Sequence, residues 1–353
     1  MIPSMKKRIA IVGAGALGGY VGGTLAHLGH DVTLIDPWPQ HVETIRSRGL
    51  ELDGLTPEEK FTARPKILHL MEVQSLIRTP VDVAMVAVKS YDTLWATALI
   101  APYLSERGFV VSLQNCMNEE TIAGVVGWGR VVGAIAAMIS VDLYEAGRIR
   151  KTAAKGGDKH TVFRIGEPHG SITPRVEELV EWFRGIDSAK ATTNLWGERW
   201  SKLVQNSMGN GVSAVTGLTG GECLRNPAIR RFQIALAGEG IRVGQALGYQ
   251  LEKIRGAEPE LYVRAADGDS NALSELETLI VPKAGSNPRG DIQRPSMAQD
   301  ILKGRRTEID AMNGFIARKG AEVGVPAASH KKLAEIVTRV ERGELKPSPA
   351  LLA

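Results

Sequence analysis

Three glycines near the amino terminus have the spacing of a phosphate-binding loop. Gly13, Gly15 and Gly18 form the pattern Gly-x-Gly-x-x-Gly after an apolar strand-like run, and they open a helix of small residues. The first glycine permits a tight turn, the second lets the backbone approach a pyrophosphate, and the third allows close helix–sheet packing. The alternative is a glycine-rich helix that only packs closely. The pattern predicts a dinucleotide-binding loop made of Gly13, Ala14, Gly15, Ala16, Leu17 and Gly18.

An acidic residue closes the next predicted strand. Asp36 follows the apolar run 31–35 and lies 18 residues beyond Gly18. A carboxylate at that place accepts hydrogen bonds from the adenosine ribose of NAD and repels the 2′-phosphate of NADP. A turn aspartate before Pro37 is the alternative, since aspartate also favours turns. The sequence therefore predicts that NAD is preferred over NADP.

Two further predicted strands end in polar residues. Lys89 follows the apolar run 81–88, and Gln114 and Asn115 follow the run 108–113. Open parallel sheets bind ligands at the carboxyl ends of their strands. Each of these residues is therefore a candidate for cofactor binding, with an ordinary polar loop as the alternative.

A lysine and two asparagines recur every four residues in the second half of the chain. Lys202, Asn206 and Asn210 lie on one face of a predicted helix over 196–215. One cation and two amides among apolar neighbours suit a polar site better than a solvated surface. A lysine in such a site can act as a general acid near neutral pH. An exposed lysine with two capping asparagines is the alternative.

The last polar cluster starts just before a predicted helical segment over 297–323 and continues into it. Ser296 and Gln299 have the spacing of a capping box, which alone explains the serine. Glu308 lies about three turns farther on among other charged residues. By spacing alone, its position predicts a solvated helix face.

The elements that must position these residues indicate an α/β protein with two domains. Strands alternate with helices up to residue 193, which predicts a doubly wound parallel sheet. Residues 194–345 read as helices, with loop or inserted material over 256–268 and 287–290, and the tail 346–353 is expected to fray. We expect substrate binding and dimerisation in the helical domain.

Composition excludes several classes of function. The chain has 353 residues, a formal net charge of +4 and 5% aromatic residues, which offers little to a nucleic acid. Its two cysteines argue against a disulfide framework or a four-ligand zinc site, so no metal site is predicted. No apolar run approaches the roughly 20 residues of a membrane span, and no signal peptide is evident. We expect a cytoplasmic homodimer that acts on a small molecule, without nucleic-acid or membrane partners.

Four blocks of the sequence resemble the ketopantoate reductase family, the 2-dehydropantoate 2-reductases and related 2-hydroxyacid dehydrogenases. They are residues 13–18, Leu113-Gln-Asn115, Trp200-x-Lys202-x-x-x-Asn206-x-x-x-Asn210, and residues 295–300 with 307–310. The resemblance implies an N-terminal Rossmann domain, an all-helical C-terminal domain and reduction of a branched 2-oxo acid, as in pantothenate biosynthesis.

The resemblance also implies roles for individual residues. Lys202 would protonate the ketone oxygen, and Glu308 would hydrogen-bond the substrate or the lysine. The substrate would be bound by Asn206, Asn210 and Ser296. The cofactor would be contacted by Lys89 and Asn115.

Three departures from the family pattern leave alternatives open. Cys116 stands where the family often has glycine, Asp36 where many members have an arginine, and extra residues occupy about 254–290. An NAD-dependent dehydrogenase that acts on another branched or bulky 2-hydroxy acid in catabolism is therefore one alternative. A β-hydroxyacid dehydrogenase is a more remote alternative, because this chain lacks the glycine-rich segment that usually precedes the lysine in that class. A dinucleotide-binding module without catalysis is also more remote, because it would need neither Lys202 nor Glu308.

Overall fold

A computed structural model describes residues 6–282 and 294–352 of the chain. The chain divides into two compact units, residues 1–195 and 196–353, which are treated separately below. The whole of the loop predicted over 287–290 lies outside the described residues, as do residues 283–290 of the extra segment 254–290.

The first unit alternates strands and helices along the chain. Its elements are β1 (Arg8–Val12), α1 (Ala16–His27), β2 (Asp31–Asp36), α2 (Pro39–Arg48), β3 (Leu50–Asp53), β4 (Phe61–Ala63), β5 (Lys66–His69), β6 (Val81–Val86), α3 (Thr93–Ile100), β7 (Leu104–Ser112), α4 (Glu119–Val126), β8 (Val131–Ala136), β9 (Val141–Glu145), β10 (Arg148–Lys151), β11 (Phe163–Gly166), α5 (Pro174–Arg184) and β12 (Ala189–Ala191). The alternation confirms the doubly wound α/β architecture.

The main sheet has eight strands in the order β12-β11-β8-β7-β6-β1-β2-β5. All neighbours pair in parallel except β11 and β8, which are antiparallel. Strand β1 lies between β2 and β6, so the direction of winding reverses there. The carboxyl edge of β1 is therefore the place where such sheets bind a ligand.

Both faces of this sheet are buried, because strands between two helical layers need apolar residues on each side. Successive residues of β1 point to opposite faces. Ile9 and Ile11 join one core cluster with residues of α1, whereas Ala10 and Val12 join a second cluster with residues of α3 and α4. The continuous apolar run 8–12 follows from this double burial.

A second, four-stranded sheet has the order β4-β3-β10-β9. Strands β3 and β10 pair in parallel although almost a hundred residues separate them, with Glu51 opposite Arg148. Residues 131–145 contribute two strands to different sheets, β8 to the main sheet and β9 to the smaller one. Gly147, with φ +75°, lies in the turn of the β9–β10 hairpin.

The second unit is helical in its described residues. Its elements are α6 (Leu195–Ser207), whose first residue falls at the division between the units, α7 (Asn210–Thr216), α8 (Gly220–Arg225), α9 (Pro227–Ala246), α10 (Pro259–Ala266), α11 (Ser270–Ile280), α12 (Ser296–Leu302), α13 (Asn313–Glu322) and α14 (Ala328–Glu341). The N-terminal Rossmann-like sheet and the helical C-terminal unit confirm the predicted fold class.

Two expectations for the second unit differ from the structure. Residues 259–266, within the loop or inserted material expected over 256–268, form helix α10, because Pro259 occupies the first helical turn and favours helix initiation. The tail does not fray, since the N–H of Ser348 donates to the carbonyl of Val215 at 2.8 Å. None of the helices formed by residues 6–282 and 294–352 has both the length and the apolar character that a bilayer span requires.

Candidate active site

The glycine-rich loop joins β1 to α1 as its spacing predicts. Gly13 has φ +96°, a conformation that favours glycine, and its N–H donates to the carbonyl of Ile35 at 2.8 Å. Gly15 is the N-cap of α1, and the first helical bond runs from the N–H of Gly19 to the carbonyl of Gly15 at 2.7 Å. Helix geometry leaves the preceding N–H groups of this turn without a partner in the helix. They are free to bind an anion.

Gly15 and Gly18 have different surroundings, as their predicted roles require. A Cβ on Gly18 would lie 2.0 Å from the carbonyl oxygen of Gly13 and 2.8 Å from the Cβ of Ala87, so a side chain cannot fit there. A Cβ on Gly15 would meet no atom within 4 Å. The third glycine therefore permits close packing, and the second borders open space into which a pyrophosphate can fit.

Asp36 ends β2 beside this loop and is 8% exposed. One carboxylate oxygen accepts the N–H of Ala14 at 2.9 Å, and the other accepts the N–H of Trp38 at 2.9 Å. Each oxygen keeps a second lone pair that can accept a ribose hydroxyl. The turn interaction with Trp38 therefore exists, and it does not compete with the predicted interaction with ribose.

Sequence reasoning missed His41, which lies on α2 and is fully buried. Its Nδ1 accepts the N–H of Gly147 at 2.9 Å, so its Nε2 carries the proton and donates to the carbonyl of Ala14 at 3.0 Å. Burial lowers the pKa of His41, against a smaller raising effect of the Asp36 charge. The neutral imidazole therefore links the glycine-rich loop to the β9–β10 hairpin, and no local sequence signal indicates this.

Two polar loops follow β6 and β7, and side chains tie them together. Lys89 precedes a 3₁₀ turn over residues 90–92 and is half-buried. The carbonyl of Asn115 accepts the side-chain amide of Asn118 at 2.6 Å. The amide of Gln114 donates to the carbonyl of Val88 at 2.9 Å, which joins one loop to the other.

Cys116 adopts φ +66°, a left-handed conformation that strongly favours glycine. This explains why a glycine suits the position after the Gln-Asn pair. The thiol is buried, in agreement with a packing role rather than a nucleophilic one.

The carboxyl ends of four adjacent strands thus gather the candidate cofactor residues of the first unit. Strands β2, β1, β6 and β7 are neighbours in that order and carry Asp36, residues 13–18, Lys89 and Asn115. The free N–H groups and the open space at Gly15 suit the pyrophosphate of a dinucleotide, and the adjacent carboxylate can accept hydrogen bonds from ribose hydroxyls.

In the second unit, the predicted single helix over 196–215 is broken. Lys202 and Asn206 share a face of α6, but Asn210 is the first residue of α7. The chain tightens at Gly209, whose N–H donates three residues back to the carbonyl of Asn206 at 3.1 Å. The i, i+4 spacing therefore holds for the first pair only, and Asn210 belongs to the following helix.

Glu308 is buried, so the expectation of a solvated helix face was wrong. Helix α12 ends at Leu302, and Gly304 with φ +60° follows, so the predicted helix over 297–323 is interrupted before Glu308. The preceding Thr307 donates its N–H and hydroxyl to Glu341 of α14, at 2.8 and 2.6 Å. These bonds fix the segment, and Glu308 is 6% exposed.

Contacts of α7 bring its first residues next to the segment that carries Glu308. The Nδ2 of Asn210 lies 3.9 Å from the sulfur of Met312. A Cβ on Gly211 would lie 3.3 Å from the side chain of Ile309, the neighbour of Glu308. The structure thus gathers an amide and a buried carboxylate from distant parts of the sequence.

Ser296 is exposed and does not form the predicted capping box. Pro295 is the N-cap of α12, and Ser296 is the first helical residue. The side-chain amide of Gln299 instead donates to the carbonyl of Arg294 at 2.9 Å, and the N-cap Pro295 has neither an N–H to donate nor a side-chain oxygen to accept. Helix α12 packs against α7, so Ser296 lies on an element in contact with the one that carries Asn210.

Comparison with known proteins finds similarity over nearly the whole chain. The family described as ketopantoate reductase PanE/ApbA matches residues 9–162, and the C-terminal domain of the same family matches residues 194–341. The 2-dehydropantoate 2-reductase of Archaeoglobus fulgidus is 29% identical, over 96% of this chain and 99% of that protein. The corresponding enzyme of Pyrococcus horikoshii is also 29% identical, over 91% and 93%.

Solved structures show the same architecture. A PanE/ApbA family ketopantoate reductase from Ralstonia eutropha has a TM-score of 0.76 and 27% identity, covering 96% of this chain and 99% of that one. A D-mandelate dehydrogenase in complex with NADH and anilino(oxo)acetate also has a TM-score of 0.76, with 21% identity and coverage of 95% and 98%. The second likeness concerns the fold alone.

Proposed function

The chain belongs to the ketopantoate reductase family, and from this membership we propose that it reduces a branched 2-oxo acid to the 2-hydroxy acid. Members of the family are NAD(P)-dependent oxidoreductases that act on CH–OH groups, and the curated relatives act on 2-dehydropantoate. The observation that supports the proposal is that Asn210 lies next to the segment that carries the buried Glu308, on the helix that follows Lys202 and Asn206 in the chain.

In this proposal the first unit binds the dinucleotide. The free N–H groups at the start of α1 hold the pyrophosphate, Asp36 accepts the adenosine ribose hydroxyls, and Lys89 and Asn115 contact the cofactor at the neighbouring strand ends. When bound, the reduced cofactor supplies the hydride that reaches the carbonyl carbon. The fixed carboxylate of Asp36 supports a preference for NAD over NADP.

The second unit acts on the substrate. Lys202 donates a proton to the ketone oxygen as negative charge develops there, which is general acid catalysis. Glu308 accepts a hydrogen bond from the substrate or from the ammonium group of Lys202. Asn206, Asn210 and Ser296 bind substrate hydroxyl and carboxylate groups, for which amides and hydroxyls offer both donors and acceptors.

Replacement of Lys202 tests this proposal. A screen of 2-oxo acids with NADH and NADPH, followed at 340 nm, identifies the substrate of the unmodified protein. With that substrate, Lys202→Ala is expected to lower kcat by about 10²- to 10⁴-fold and to leave the NADH dissociation constant nearly unchanged. Lys331→Ala, which removes an exposed lysine of α14, serves as the control. Wild-type turnover by Lys202→Ala would show that the assigned role is wrong.

A second candidate function is NAD-dependent oxidation of another bulky 2-hydroxy acid. Asp36 favours it, as does the extra segment that builds α10 and α11 next to α9. Comparison of kcat/KM for ketopantoate with that for other bulky 2-oxo acids separates the two. If the protein bound NADH but reduced none of these 2-oxo acids, the remaining alternative would be a dinucleotide-binding module without catalysis. A place in pantothenate biosynthesis, the homodimer and the cytoplasmic location stay predictions.

A further inference from the structure

A two-residue turn between α9 and α10 places an arginine in an unusual conformation. Ile254 and Ala257 exchange two backbone hydrogen bonds, at 2.9 and 3.0 Å, around Arg255 and Gly256. The two central residues have φ +51° and +83°. Asparagine and glycine favour such a turn, whereas a long side chain at its first central position is strained. Strained residues of this kind gather at functional sites.

The base of this turn is fixed. Ile254 and Ala257 are 0% and 1% exposed, and the hydroxyl of the buried Tyr262 donates to the carbonyl of Ile254 at 3.1 Å. The backbone of Arg255 is therefore held in place by its neighbours, while solvent still reaches the residue itself. Its side chain projects from a rigid support.

The guanidinium lies at the break between α6 and α7. Its Nη2 is 3.4 Å from the point that a Cβ on Gly209 would occupy. Gly209 separates Asn206 from Asn210, the two amides assigned to the substrate. The cation is therefore next to the group of residues that would bind the substrate.

Nothing in the described part of the chain neutralises this cation. No hydrogen bond or ion pair joins the guanidinium to residues 6–282 or 294–352, and Arg255 is exposed. The titratable groups that face it are Cys223 and Tyr262, and burial raises the pKa of both, that of Tyr262 to about 12. Both are neutral near pH 7. The donors of its guanidinium group are therefore available to a bound anion.

We propose that Arg255 is the residue that binds the carboxylate of the substrate, beside Asn206 and Asn210. The planar guanidinium can donate two parallel hydrogen bonds to one carboxylate, which a lysine cannot do. Arg255 thereby selects anionic 2-oxo acids over neutral ketones. The inference rests on the proposed function and assigns a role to the start of the extra segment.

Arg255→Asn is a suitable test because asparagine favours the backbone conformation of this turn. We expect the KM for the 2-oxo acid to rise about 10- to 100-fold, from the loss of a hydrogen-bonded charge, while kcat changes less than about threefold. The KM for NADH should be unchanged, and Tm should be unchanged or raised. Binding of the matching 2-hydroxy acid to the enzyme–NADH complex, a pair that cannot react, should weaken by the same factor in calorimetry.

Lys253→Gln is the matched control. Lys253 lies in the same loop and pairs with Glu258 at 2.9 Å, so its removal makes the same change in net charge at an exposed place. A neutral 2-oxo amide provides the second comparison, because its KM should respond little to Arg255→Asn. An equal KM increase in Lys253→Gln, or an equal increase for the amide, would refute a specific carboxylate contact.

Two further outcomes would also overturn the inference. If the wild type reduces the 2-oxo acid and Arg255→Asn does so with an unchanged KM, the guanidinium does not bind the substrate. A fall in Tm together with losses in both substrate and NADH binding would assign Arg255 a structural role. If the wild type binds NADH and reduces no 2-oxo acid, the proposed function itself fails, and this inference fails with it.

Discussion

Replacement of Asp36 tests the cofactor preference, for which the structure gives the geometry. Two backbone N–H groups, those of Ala14 and Trp38, each donate to one carboxylate oxygen at 2.9 Å. The carboxylate is therefore fixed at the end of β2 and cannot turn away from a group bound at the ribose. A 2′-phosphate placed there would lie within a few ångströms of it.

The size of the effect follows from Coulomb's law. Two unit charges about 4 Å apart, at an effective dielectric constant near 20, repel by roughly 4 kcal/mol. Solvent relaxation and counterions reduce this value. A third of it still corresponds to about a tenfold difference in kcat/KM.

Nearby cations do not turn this repulsion between Asp36 and a 2′-phosphate into an attraction. Arg46 is bound to Glu43 and Glu72, at 2.6 Å from each. Arg48 lies nine residues beyond the first residue of α2, about 13 Å along the helix. The pKa of His41 is lowered by burial, so this residue is neutral near pH 7.

We therefore expect kcat/KM with NADH to exceed that with NADPH by at least about tenfold. Asp36→Ala should reduce this ratio. Asp36→Asn should also reduce it, and its amide oxygen can still accept one of the two backbone N–H groups, so it disturbs the loop less. Steady-state kinetics with both cofactors, at constant ionic strength, measures the ratio. Equal or better use of NADPH by the unmodified protein would refute the reasoning and would favour an NADPH-dependent ketopantoate reductase.

Two other pairs of variants test the two units separately. Asn206→Ala and Glu308→Ala should lower kcat/KM for the 2-oxo acid and leave nucleotide dissociation constants within a few-fold, since both residues are assigned to the substrate; a large loss of nucleotide binding in the folded variants would contradict this assignment. Gly18→Ala should lower the free energy of unfolding by about 1 to 3 kcal/mol or more, because its Cβ would lie 2.0 Å from the Gly13 oxygen. Gly15→Ala should change the free energy of unfolding, measured by denaturant titration, by no more than about 1 kcal/mol, yet weaken NADH binding at least tenfold. If Gly15→Ala proved less stable than Gly18→Ala, the assigned glycine roles would be wrong.

The sequence by itself determined the features that depend on local patterns. A short apolar run such as 9–12, bounded by a glycine-rich turn, indicates a doubly buried strand, and the glycine spacing that follows it has one common physical use. Asp36 at the end of the next strand and the i, i+4 pair Lys202–Asn206 were equally readable. The family and its two-domain fold were recognisable for the same reason, since each motif occupies a short stretch of chain.

Only the tertiary structure decided which distant groups meet. The partners of His41 are Ala14 and Gly147, and 106 residues separate the second of them from the histidine. Gly304 is a local signal that α12 ends early. Glu308 still appears solvated in sequence, because nothing local shows that Glu341 holds the adjacent Thr307. Arg255 has no motif at all, and its importance comes from the position of a fixed turn beside Gly209. Burial and charge compensation depend on neighbours far along the chain, which is why short-range patterns could not predict them.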